Sequence, residues 1–219
     1  PRVERFLDAL AGHWSLDIAA LRCPGRPDVA TTGGAAFARR ARTATPVRLE
    51  VAMGLETAHP EALERLHKRM SVDTFRVAAR WLEARELALR VFLLIAPPFI
   101  PPDEQDAWLL HSIEEALACG ATAVSLIATR PGNGALEALA TEGLFDRPRL
   151  PAIERSFDAA LAHAAGRARI FLDLWDLDRT ATCSECRADR RARLHAMNLA
   201  QQILPVVECA RCAVSMATA

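Results

Sequence analysis

The sequence predicts an α/β fold built on a parallel sheet, followed by a small cysteine module. Three observations carry this. "ALRVFLLIA" (88–96) is a near-continuous apolar run, as expected of a parallel strand covered on both faces. Segments with a period of two alternate along the chain with segments of helical spacing, the pattern of strand–helix–strand crossovers. Four of the six cysteines fall in two tight pairs, Cys183/Cys186 and Cys209/Cys212, with 22 residues between them.

The 219 residues are 51% hydrophobic and 25% charged, with 27 basic and 27 acidic side chains. That is enough for one sizeable core and an appendage. Zero formal net charge gives no general attraction to nucleic acid or anionic lipid, while leaving room for a local basic patch. The longest apolar run, "VFLLIAPPFI", is too short to span a membrane and is broken by prolines. Without a secretory signal, cysteines in C-x-x-C pairs point to a reducing, cytoplasmic setting rather than a disulfide scaffold. The chain starts at Pro1 rather than at methionine, which reads as a fragment or a processed product.

In order, "ERFLDALAG" has helical spacing, "SLDIAAL" reads as a short strand, "CPGRPD" as a turn and "GAAFARRARTA" as a helix with a solvated basic face. "VRLEVAMGL" is a strand with Val47, Leu49, Val51 and Met53 on one face. "HPEALERLHKRM" is a helix with Pro60 in its first turn. Ser71 reads as the N-cap of "VDTFRVAARWLEAR", whose Phe75, Ala78, Ala79 and Leu82 form an apolar stripe. After the strand at 88–96, the helix "DEQDAWLLHSIEEALACG" stops at Gly120, a natural C′ residue. "ATAVSLIATR" is a strand, "GALEALATEG" and "PAIERSFDAALAHAAG" are helices, and "ARIFLDLWD" is the last strand. A basic helix, "ADRRARLHAMNLAQQIL", separates the cysteine pairs. Five candidate strands result, compatible with a barrel or a doubly wound sheet. Both place chemistry beyond the strands' carboxyl ends, here the loops Gly54–His59, Ala96–Pro102, Thr129–Gly134 and Asp173–Arg179.

These loops carry a resemblance. "VAMGLETAHPEALERLHKRMSVDTFRVAARWLEARELALRVFLLIAPPF" and "GATAVSLIATRPGNGALEALATEGLF" together resemble the middle of a radical S-adenosylmethionine (SAM) enzyme, over roughly residues 47–146. The similarity is greatest to the branch holding the elongator catalytic subunit, the methylthiotransferases and oxygen-independent coproporphyrinogen oxidase. It lies in order and spacing more than in single residues. The tail also resembles uncharacterised members of that superfamily and, more loosely, the archaeosine-synthase type that modifies transfer RNA.

The resemblance implies an incomplete (β/α) barrel of parallel strands with outer helices over residues 1–178, and a zinc-ribbon-like module over 179–219. It implies SAM as cofactor, a 4Fe-4S cluster that cleaves SAM reductively, an electron donor such as ferredoxin or flavodoxin, and tRNA among the substrates. One departure matters. The family holds its cluster through C-x3-C-x2-C after the first barrel strand, and here Cys23 is the only cysteine ahead of "GLET". The cluster ligands are therefore expected upstream of this sequence, and the chain is not expected to reduce SAM by itself.

By similarity, Glu56 and Thr57 would contact the ribose or methionyl part of SAM. A carboxylate there can accept both hydroxyls of a ribose diol. The competing reading makes Glu56 a helix cap or the partner of a cation. Arg69, after Lys68, would meet a carboxylate or be plain surface. Ala96 and Pro97 would pack beside adenine or merely stiffen a loop. Arg130 and Asn133, in a glycine-bearing loop, would reach ligand or simply enter the next helix. Asp173 and Asp176 either bind a substrate group or cap the segment after the strand. His59 and His67 read as surface helix residues, and Cys23 and Cys119 as small buried hydrophobes.

The cysteine pairs are the strongest local signal. Two C-x-x-C knuckles complete tetrahedral S₄ coordination, which suits zinc, with an auxiliary iron–sulfur cluster or redox cysteines as alternatives. The 22-residue spacer slightly exceeds the usual range of roughly 15–20. Arg187, Arg190, Arg191 and Arg193 between the pairs would stabilise the thiolates or touch a phosphate backbone. Beside the radical SAM reading stands a second one from a different class, a zinc-dependent RNA- or protein-binding module on an α/β scaffold.

Overall fold

The computed structural model describes residues 50–67, 70–132, 134–177, 180 and 183–212. The elements expected before residue 50, with Cys23, Val47 and Leu49, lie outside these residues, as do Lys68, Arg69 and Asn133. Four strands are described: β1 (Glu50–Glu56), β2 (Ala88–Ile95), β3 (Ala121–Ala128) and β4 (Arg169–Leu172). Every neighbouring pair is parallel, and the spatial order β1-β2-β3-β4 follows the chain. Helices α1 (Pro60–Arg65) and α2 (Val72–Glu83) connect β1 to β2, and α3 (Gln105–Ala118) connects β2 to β3. The β3–β4 crossover holds α4 (Ala135–Thr141) and α5 (Leu150–Ala164), and α6 (Arg187–Ala200) comes last. A doubly wound sheet reverses its order at a switch point; these four strands do not. No helix among the described residues is long and apolar enough to cross a membrane.

Local chemistry sets the helix ends. Ser71 caps α2 in a reciprocal box: its Oγ accepts from the Thr74 amide at 3.2 Å, and its own amide donates to Thr74 Oγ1 at 2.8 Å. His59 caps α1, Nδ1 accepting from the Ala62 amide at 3.2 Å, so the histidine read as a helix surface residue sits just outside the helix. Gly120 follows α3 at φ 77°, the left-handed position a C′ glycine fills. Cys119 forms the C-cap of that helix and is only half-buried.

One face of the sheet makes the core. Met53, Leu55, Val91, Leu93, Ile95, Val124, Leu126, Ile170 and Leu172 are buried there. Phe75 and Leu82 of α2, Ile113 of α3, Ile153 and Phe157 of α5, and Leu194 and Met197 of α6 join the same cluster. Each such side chain contributes roughly 1.5–3 kcal/mol of burial. The helix between the cysteine pairs thus packs on the same core as the strands.

The other face corrects the expectation of β2 covered equally on both sides. Its residues alternate, Leu89, Val91, Leu93 and Ile95 being buried and Ala88, Arg90, Phe92 and Leu94 half-buried. On this second face Arg90 bridges three strands. Its Nε donates to Glu50 Oε2 of β1 at 2.7 Å and its Nη1 to Ser125 Oγ of β3 at 2.9 Å. Its guanidinium also lies 5.0 Å from the Phe171 ring centre on β4.

The outer edge of β4 is closed by side chains. Asn198 accepts from the Leu172 amide and donates to the Leu172 carbonyl, both at 2.8 Å. Gln201 does the same for Ile170, at 2.7 and 2.9 Å. Two carboxamides therefore stand in for a neighbouring strand. This explains why α6 stops at Ala200 rather than running through "QQIL". Gln201 leaves the helix at φ 54° so that its amide can reach the strand.

Candidate metal centre and the strand-end loops

α6 begins at the cysteines. Cys186 is its N-cap, and the second knuckle returns beside the first. Cys183 Sγ lies 3.9 Å from Cys209 Sγ, Cys186 Sγ lies 3.6 Å from Cys212 Sγ, and all four sulfurs fall within 4.8 Å of one another. Bonds of ~2.3 Å in a tetrahedron put sulfurs roughly 3.8 Å apart, so the spacing fits one ion at the centre. Glu185 and Arg211, one from each knuckle, pair at 3.0 Å and tie the two together.

The thiols are electrostatically unequal. Backbone amides of Cys186 and Glu185 pull the Cys183 thiol down to about 6, the amide arrangement of a metal knuckle. Burial, and then the neighbouring thiols, push Cys186 up to about 12. Thiolates this close repel one another, and a divalent cation is what allows all of them to ionise together. The donor set and its geometry fit a metal ion.

Two of the four arginines between the cysteine pairs, Arg190 and Arg193, turn to α5 rather than to the sulfurs. Arg190 Nη2 pairs with Glu154 Oε2 of α5 at 2.6 Å, both side chains nearly buried. Arg193, whose side chain is 4% exposed, donates to both Asp158 oxygens at 2.9 Å and to the carbonyls of Leu204 and Pro205. Burial raises the Glu154 carboxyl above its ordinary range, against the pull of Arg190 and Arg193. These two arginines hold the cysteine-bearing segment onto α5, and the side chains they need, Glu154 and Asp158, went unread in the sequence. The signal was available: two acids four residues apart beside the apolar stripe Ile153, Phe157 and Leu161, opposite two arginines three apart.

At the other functional candidate, the carboxyl ends of the strands, β1 closes with a kink. Its register shifts between Gly54 and Glu56, Glu56 takes φ 66°, and the Thr57 amide donates back to the Leu55 carbonyl at 2.8 Å. This three-residue turn folds the Glu56 carboxylate over Gly54. A Cβ at residue 54 would meet Glu56 Oε1 at 2.7 Å. A side chain at residue 54 would therefore push the tip of the Glu56 side chain out of this position. Thr57 is 2% exposed and its hydroxyl accepts from the His59 amide at 3.1 Å, so it shapes the loop. The Ala58 amide is held by Ser112 of α3 at 2.8 Å.

Beyond β2, Ala96 takes φ 54° and is half-buried, while Pro97 is buried with its carbonyl accepting from Gln105 at 3.0 Å. Beyond β3, Arg130 donates to Asp173 Oδ2 at 3.0 Å and to the Trp175 carbonyl, with its guanidinium 4.9 Å from the Trp175 ring centre. Asp173 in turn accepts from the Trp175 amide at 2.9 Å. Of the alternatives for Asp173, the structure shows it capping the following turn and binding Arg130. Asp176 has φ 59°. His67 lies in the turn after α1, at φ 52°. Two hollows lie elsewhere. One, of about 460 Å³, is at the amino ends of β3 and β4 beside Glu114 and Arg167; the other is between α1 and α2.

No known protein family matches this chain, and no curated protein matches it.

Proposed function

We propose that this chain is the C-terminal part of a radical SAM enzyme, an incomplete (β/α) barrel whose strand ends hold SAM and whose cysteine module holds a structural zinc ion. The 4Fe-4S cluster that supplies reductive cleavage of SAM would be bound by residues outside this sequence. RNA, tRNA in particular, is the substrate class the resemblance favours. The observation that carries the reading is the Gly54–Glu56 turn. A strained backbone at the carboxyl end of a parallel strand folds a carboxylate back over a glycine, and strain of this kind collects where a ligand is held. The sequential strand order supports a barrel arc. Glu56 would accept the hydroxyls of the SAM ribose. Four thiolates around one point leave no open position, the arrangement of a structural zinc site rather than a catalytic one. The alternative is a zinc-dependent RNA- or protein-binding module on an α/β scaffold, and its RNA-binding form has less support because Arg190 and Arg193 are turned into α5.

The test is a SAM titration into a longer protein that includes the cluster-binding segment. Glu56→Ala should weaken binding by about 10–150-fold, the loss of one charge-assisted contact of roughly 1.5–3 kcal/mol. Gly54→Ala should do similar harm by displacing the carboxylate while leaving the melting temperature unchanged, since the tip of a flexible side chain can yield. Unchanged affinity in both variants overturns the ribose role. Tight SAM binding by the present chain alone overturns the assignment of the cluster to residues outside it.

A further inference from the structure

Trp175 is the most exposed large hydrophobic residue among those described, at 76%. It is not part of the core, yet its backbone is held at both the amide and the carbonyl. Asp173 Oδ1 holds its amide at 2.9 Å, Arg130 holds its carbonyl, and the Arg130 guanidinium lies against its ring at 4.9 Å from the centre. Those two partners come from the ends of β3 and β4 and pair with each other at 3.0 Å. Two of these contacts fix the backbone that carries the indole, and the third, the Arg130 guanidinium, lies against the ring itself. The ring has a cation on one side and solvent over most of the rest.

We propose that Trp175 is a stacking platform for a flat heterocyclic ring, of nucleobase type, in the ligand that occupies the strand ends. Three features on this corner select that class. Ligands of parallel sheets lie beyond the carboxyl ends of the strands, where Trp175 sits. The arginine already against the indole makes a second cation unfavourable there, which excludes quaternary ammonium groups that otherwise favour tryptophan. Asp173 neutralises Arg130, so this arginine offers little to a phosphate, and the open indole face is left to recognise a ring. This deepens the strand-end site proposed above and rests on that reading only for the site's location.

The experiment uses the present chain and follows tryptophan fluorescence while adenosine, uridine or choline is added. Adenosine and uridine should quench the emission saturably, adenosine more tightly because its ring is larger, and choline should not. Trp175→Ala should weaken adenosine binding by about 5–100-fold, as removal of one stacking partner does. Trp175→Phe should restore most of it, and neither variant should change the melting temperature. Absence of quenching by either nucleoside, equal quenching by choline, or equal adenosine affinity in Trp175→Ala would overturn the platform, as would stabilisation only by a protein partner. Because SAM titration with Glu56→Ala interrogates β1 and this experiment interrogates β4, either result can fail without the other.

Discussion

The two ends of the sheet treat polar groups in opposite ways. Around α6, charges and amides are buried and matched: Arg190 with Glu154, Arg193 with Asp158, Asn198 and Gln201 with the edge of β4. At the strands' carboxyl ends the paired groups are more exposed, Arg130 with Asp173 among them, and the backbone is bent at several positions. Glu56, Ala96, Phe99 and Asp176 all take φ between 54° and 70° there without being glycine. Matched burial makes a joint, whereas backbone strain collects where ligands are held. The α6 side is thus the holding part of the fold, and the strand ends are its proposed receiving part.

The sharpest way to break this contrast is to remove the metal. Chelation, or Cys186→Ser, should abolish metal uptake and unfold the segment from 183 to 212 together with α6, because site formation and folding are one event in small thiolate modules. The expected signal is a loss of helical circular dichroism and a melting transition lowered by roughly 5–15 °C, a few kcal/mol at roughly 2–4 °C each. Retention of a full native melt in metal-free protein would make the cysteines an ornament on a self-sufficient core. Next in size is Arg193→Met, which strands Asp158 and two carbonyls and should cost about 3–5 kcal/mol in a denaturant titration. Adding Asp158→Leu should recover most of that loss, and no recovery would show that the arginine acts through the carbonyls rather than the carboxylate. Smaller still, Asn198→Ala and Gln201→Ala should each cost about 1–3 kcal/mol and speed hydrogen exchange at the Leu172 and Ile170 amides respectively. At the receiving end, Gly54→Ala should stay within ~0.5 kcal/mol of the parent while changing the strand-end site.

Much of the holding part was legible in outline and illegible in detail. The C-x-x-C pairs announce their convergence because a metal knuckle is a local motif, and the sulfurs meet at 3.6 and 3.9 Å as tetrahedral bonds require. The strands are parallel as expected from their apolar runs, and Ser71 and Gly120 mark helix ends through short-range hydrogen bonding. Sequence could not say where the arginines of α6 point, since a basic helix looks solvated until its long-range partners on α5 are known. Gln201 ends α6 for the sake of a strand 31 residues earlier, a reason no window of neighbouring residues contains. At the strand ends, "GLET" marks the loop where β1 turns, and only the folded backbone shows that the Glu56 carboxylate lies over Gly54. Trp175 went unread because an aromatic at a strand end is read as core by default.

The amide-covered edge of β4 has a consequence for the protein's life outside the folded state. An uncovered parallel strand is a template onto which another chain can dock and grow an ordered aggregate. Here the cover is borrowed from a helix whose N-cap is Cys186, so if metal uptake orders that helix, as predicted above, it also masks the template. A cell short of the metal would accumulate chains with an open sheet edge, and the burden would fall on chaperones and proteases. Metal supply would then set how much of the protein escapes aggregation, as well as how much is stable.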